Sequence, residues 1–131
     1  MTTGLGSINA DSYHVDGTQT LYREAAGEGV RLVFGDPATA GVSNSAIDYA
    51  GAHMTVSAST ATNLITINEG LEGALLVLRA TNTSANITVE DDPDNGNIRC
   101  GDNYLLANGK STLVLFYSGG KWLRIGGFIH A

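Results

Sequence analysis

Catalysis by a small protein needs a base beside a nucleophile, or a metal with an open ligand position. Few residues of this 131-residue chain could supply either. There are three histidines, His14, His53 and His130, and no pair of them has a metal-ligating spacing. His53 opens a strand pattern, where a histidine is more often structural or solvated than catalytic. No Gly-x-Ser-x-Gly elbow presents a nucleophilic serine. Cys100 is the only cysteine, which excludes an intrachain disulfide, and it lacks the local signature of an activated thiol. It reads as a small core residue. Gly4-Leu5-Gly6 and Gly27-Glu28-Gly29 do not extend into dinucleotide or P-loop spacing. The expectation is a protein that is not an enzyme and carries no cofactor.

The acidic run Glu90 to Asn97 is the one candidate metal loop. Asp91, Asp92, Asp94 and Asn95 offer the hard oxygen ligands that Ca²⁺ takes. The spacing is not that of an EF-hand, because with Asp91 as first ligand the third position is Pro93. Asp, Pro, Asn and Gly are also what a solvated turn is made of, and that is the reading adopted, with no metal expected. Trp122, Tyr117, Tyr104, Tyr49 and Phe128 could stack on a sugar, but aromatics in strand patterns usually serve a core or an interface.

The elements that must carry these residues are short strands. Val30–Phe34, Met54–Ala58, Leu64–Ile67, Ala74–Ala80, Ile87–Val89, Ile98–Cys100, Tyr104–Leu106, Thr112–Tyr117 and Lys121–Ile125 follow one another with Gly, Asn, Asp and Pro between them. Asn108-Gly109 is the strongest hairpin signal. No segment has the length and caps of an ordinary helix. Strands at this spacing predict an all-β fold, an antiparallel β-sandwich of jelly-roll type over residues 30–131. Residues 1–29 have weak periodicity and read as an extended N-terminal arm that becomes ordered on a neighbouring subunit.

Composition agrees. Charged residues make up 15% of the chain, against roughly 25% in ordinary domains. The 17 glycines suit a many-turned β protein. A net charge of −6 speaks against nucleic acid and anionic membranes as partners. No apolar run is long enough to span a bilayer, and no secretory leader is visible, so synthesis in a cytoplasm is expected. Leu75–Leu78 and Leu113–Phe116 are apolar at every position. An antiparallel sheet usually keeps one face wet, so these strands predict either a covered sheet or a subunit interface. The candidate interface residues are Leu5, Tyr13, Leu21 and Tyr22 in the arm, and Leu76, Leu78, Val114, Phe116 and Trp122 in the strands.

From about Asn63 to Gly127 the chain resembles β domains of tailed-bacteriophage virion proteins. The residues that carry the resemblance are Glu72-Gly73-Ala74-Leu75-Leu76-Val77-Leu78, Asn86-Ile87-Thr88-Val89, Gly101-Asp102-Asn103-Tyr104-Leu105-Leu106, and the closing hairpin Phe116-Tyr117, Gly119-Gly120, Lys121-Trp122. Head fibres, capsid decoration (cement) proteins and tail-fibre modules share such patterns. The resemblance implies a homotrimer located in the virion, with the major capsid protein as partner. The length suits a decoration protein better than a fibre, so the expected function is stabilisation of an assembled capsid. A glycan- or receptor-binding fibre module, using Tyr104 or Trp122, and a small β-fold hydrolase, using His53, are the alternatives.

Overall fold

The computed structural model describes residues 12–15, 18–22, 31–107 and 109–129. Two compact units divide the chain, Met1–Asp36 and Pro37–Ala131. In the first unit, β1 (Ser12–Val15), β2 (Thr18–Tyr22) and β3 (Arg31–Leu32) form an antiparallel sheet in that order. The segment expected as an arm thus contributes two strands, with the Asp16-Gly17 turn signal between them.

The second unit is built from coils. The first coil holds β4 (Ala38–Gly41) and β5 (Ala46–Asp48). The second holds β6 (His53–Ser57), β7 (Thr62–Leu64) and β8 (Thr66–Asn68). The third holds β9 (Leu75–Ala80) and β10 (Ile87–Val89). Equivalent strands stack in parallel: β4 on β6 on β9, β5 on β8, and β7 on β10. One coil cannot bury its own apolar face, and stacking gives each a neighbour. The remaining strands are β11 (Ile98–Arg99), β12 (Tyr104–Leu106), β13 (Thr112–Ser118) and β14 (Lys121–Phe128). Here the direction reverses: β12 lies antiparallel on β10, β13 on β9, and β14 on β13, while β11 runs parallel to β14. The result is a six-stranded sheet, β11-β14-β13-β9-β6-β4, with two small sheets, β12-β10-β7 and β5-β8.

The all-β class is as expected, and among the described residues there is no helix. The strand pairing departs from an antiparallel sandwich. Alternation reports which face a residue takes, not the direction of its neighbour. Parallel neighbours need a long connection, and here the rest of each coil provides it.

One core fills the space between the three sheets. Met54, Val56, Leu76, Leu78, Leu113, Leu115 and Trp122 enter it from the large sheet, and Leu64, Ile67, Ile87, Val89, Tyr104 and Leu106 from the small ones. The turn between β4 and β5 has two residues, Asn44 and Ser45, both with positive φ (51° and 60°), closed by paired backbone bonds between Ser43 and Ala46 of 3.0 Å. Asparagine tolerates this conformation, but serine is strained in it. Ser45→Gly should stabilise the fold by about 0.5–1 kcal/mol, the strain released less the entropy that glycine adds to the unfolded chain. A urea midpoint that moves up with unchanged slope is the check.

Candidate functional site

The acidic loop closes on itself. The Oδ1 atom of Asp92 accepts the backbone N–H groups of Asp94 (3.0 Å) and Asn95 (3.1 Å), and its Oδ2 accepts the Asn95 amide at 3.1 Å. The Asn95 side chain first, then these N–H groups, hold the Asp92 carboxyl below the usual carboxylate range. Asp91 accepts the N–H of Gly101 at 2.7 Å. Arg99 reaches back and donates to the carbonyls of Asp92, Pro93 and Gly96. The turn reading therefore describes Asp91, Asp92, Asp94 and Asn95. Among the described residues no group of three or more His, Cys, Asp or Glu is placed to hold a metal ion.

Of the other residues that could do chemistry, Cys100 is enclosed and His53 lies on a strand. Cys100 is buried, and burial, with the charge of Asp91 second, pushes its thiol pKa up. The thiol donates to the carbonyl of Asp102 at 3.0 Å, which describes a core residue and not a nucleophile. His53 is half-buried on β6, His14 lies in β1, and His130 falls outside the described residues.

The aromatic residues form a frame inside the protein. Trp122 is fully buried, its ring centroid 5.0 Å from Tyr49 and 4.9 Å from Tyr117. Its Nε1 donates to the carbonyl of Ile67 at 3.1 Å. The same carbonyl accepts Nδ2 of Asn97 at 2.8 Å, while the N–H of Ile67 donates to Oδ1 of Asn97 at 2.9 Å. Asn97 thus takes the place of a third-coil strand beside β8. Its own backbone continues the ladder, with N–H to Ile65 at 3.0 Å and carbonyl to the N–H of Trp122 at 2.8 Å. The close approach also requires glycine before it, because a Cβ on Gly96 would meet the Ile65 carbonyl. Tyr104 is buried as well, its hydroxyl donating to the carbonyl of Thr112 at 2.6 Å. Neither Trp122 nor Tyr104 offers a stacking platform to a sugar.

Three of the strand residues expected at an interface therefore take the other face. Leu76, Leu78 and Trp122 point into the protein's own core. Their neighbours point out. Register places Leu75, Phe116 and Leu123 in one row across β9, β13 and β14, and Val77 beside Val114 in the next. Phe116 and Leu123 are 36% and 37% exposed, and Ile125 and Phe128 of β14 more so. Val114 and Phe116 are thus the strand candidates that stay on an outer face. Leu5 lies outside the described residues, and for Tyr13, Leu21 and Tyr22 only the backbone strands are described. Leu123 was missed as a candidate, although strand alternation from a buried Trp122 points it outward.

Two further features border this sheet. A cavity of about 350 Å³ opens beside β4 and β5, lined by Ala40, Gly41, Ala46, Ile47, Asp48 and Asn68 among others. Its polar groups are joined, Nδ2 of Asn68 donating to Oδ1 of Asp48 at 3.0 Å. At the β13–β14 turn, Glu72 accepts the N–H of Gly119 at 2.9 Å, and that bond, with one from Ser118, lowers the Glu72 pKa. A depressed folded pKa means stability that is present above the unfolded value and lost as pH falls through the folded one. Melting temperatures of the wild type and Glu72→Gln should therefore differ at neutral pH and converge below the usual carboxylate range. A constant difference across that range would contradict the clasp.

No family model matches the chain, and comparison with curated proteins and with solved structures finds no match either.

Proposed function

We propose that this chain is a structural virion protein that decorates the outside of an assembled phage capsid as a homotrimer and stabilises the shell. The observation that carries the adhesive part of this reading is the outer face of the six-stranded sheet. Leu75, Val77, Val114, Phe116 and Leu123 lie there side by side on rigid strands. Apolar surface removed from water contributes roughly 25 cal/mol per Å², and a stable interface takes about 800 Å² from each partner. Such a face works by being covered, and it needs no turnover. The resemblance of residues 63–127 to virion β domains supports the choice of assembly, with the major capsid protein as the partner outside the trimer. A buried Cys100 whose thiol donates to a backbone carbonyl supports a non-enzymatic role.

The test is co-sedimentation of the purified chain with assembled phage capsids. Saturable, stoichiometric pelleting, with a raised melting temperature of the capsid, is the expected result. A chain that stays in the supernatant overturns the capsid reading.

A further inference from the structure

The two edges of the six-stranded sheet are built differently. At one edge β11 is very short, and its Arg99 folds back onto the carbonyls of its own turn. At the other edge β4 is hydrogen-bonded to β6 on one side and, among the described residues, to no strand on the other. Proteins usually blunt such an edge with a charge, a proline or a bulge. Ala38-Thr39-Ala40-Gly41 has none of these, and its register on β6 is unbroken. Successive backbone groups of a strand point to opposite sides. The N–H of Val42 donates to the carbonyl of Ser57 at the end of β6. Ala40 therefore faces β6 as well, and the backbone groups of Thr39 and Gly41 face the open side.

The side chains add a pocket to this edge. Ala80, Val56 and Ala40 form one inward row across β9, β6 and β4. Ala80 and Val56 are buried, but Ala40 is only half-buried. The next place in the row falls at the cavity, which Ala40 and Gly41 line together with Ala46, Ile47, Asp48 and Asn68. Alanine and isoleucine give it an apolar wall, and Asp48 gives it a carboxylate whose Oδ1 is already held by Asn68. Local charge has one sign: residues 32–78 contain no lysine or arginine, while Asp36, Asp48 and Glu69 are exposed.

We infer that β4 takes an extended segment of another protein as an added strand, with a lysine or arginine of that segment in the cavity. The backbone of the segment pairs with Thr39 and Gly41. Its basic side chain continues the row of Ala40 and brings the cation to Asp48. In strand addition the main-chain bonds supply affinity, and the pocket selects the side chain. A long basic side chain suits this pocket because its stem is apolar and its head is charged. A second copy of this chain is a poorer occupant, since its net charge of −6 has the same sign as the residues around the cavity. The inference rests on β4 and the cavity, not on the capsid reading.

The test is titration of the full chain with an acetylated, amidated peptide of alternating threonine and lysine, followed by backbone amide NMR. The amides of Thr39, Gly41 and Asp48 should shift together and saturably. Gly41→Pro should weaken binding by about tenfold, because it removes an edge N–H and no bond to β6. A Cβ at position 41 meets nothing within 4 Å, so this variant should keep its melting temperature. Asp48→Asn should weaken binding by roughly fivefold, and a peptide with glutamate in place of lysine should not bind. Should the proline disturb the fold, the Asp48 variant and the glutamate peptide still decide. Absence of a saturable shift at β4 overturns the inference. Equal binding of the glutamate peptide, or an Asp48→Asn variant that binds as tightly as wild type, overturns it too. So does a wild-type dimer in light scattering that Gly41→Pro abolishes, because a second copy is then the occupant.

Discussion

Trp122→Ala should lower the unfolding free energy by about 3–5 kcal/mol, the cost of removing a large buried aromatic. Domains of this kind are stable by roughly 5–15 kcal/mol, so the variant should unfold at a much lower denaturant concentration. Three losses combine. The ring leaves a void between Tyr49 and Tyr117, Nε1 no longer reaches the Ile67 carbonyl, and the contact joining β14 to β8 goes. Trp122→Phe should fall between wild type and alanine, because it keeps most of the ring contact and gives up only the hydrogen bond, worth about 1 kcal/mol. Urea unfolding followed by circular dichroism measures both. An alanine variant as stable as wild type would mean that Trp122 is not the centre of the frame.

Asn97→Asp should be destabilised by about 2–4 kcal/mol at neutral pH, with a dependence on pH that no packing defect reproduces. The asparagine amide matches the backbone of Ile67, accepting from its N–H and donating to its carbonyl. A carboxylate still accepts, but its second oxygen then faces a carbonyl oxygen with no proton between them. Protonation restores a donor, so the introduced group has a folded pKa above its unfolded value. The native state of the variant then binds more protons than its unfolded state, and stability rises as pH falls. The gap between Asn97→Asp and wild type should narrow from pH 7 to pH 4. Asn97→Ala, which lacks a titrating group, should show a gap that this pH change leaves alone. Melting curves at the two pH values separate the cases.

The strands were legible because their signals are local. Alternation in Leu75–Ala80 and the turn residues Gly119-Gly120 report period and direction change within a few positions. The stacking was not legible, because the distance between equivalent positions varies. Ala38 lies beside Met54 and Met54 beside Leu78, so no fixed repeat is present to be read. Asn97 was read with the acidic turn that precedes it. Its partner Ile67 is 30 residues away, and nothing near position 97 records that a strand is missing there. The sequence shows β9 and β13 to be two-faced but does not say which face is enclosed, and in β9 the enclosed residues are Leu76 and Leu78. Only pairing with β13 decides which alternate set is enclosed.

The reversal of direction at the third coil has a consequence for how the chain reaches its native state. Among the described residues of the second unit the β13–β14 hairpin is the longest pairing, and it is local, with Ser118 opposite Lys121 across a short turn. The parallel ladders join residues a whole coil apart, and distant pairings are slow to form. The hairpin is therefore the expected nucleus, and the coils then wind onto it through β9 toward β4. Pulse-labelled hydrogen exchange should protect Leu113–Phe116 before Ala38–Gly41, and the opposite order would refute this. On a ribosome the hairpin emerges after the coils that wind onto it, so those coils wait for their template.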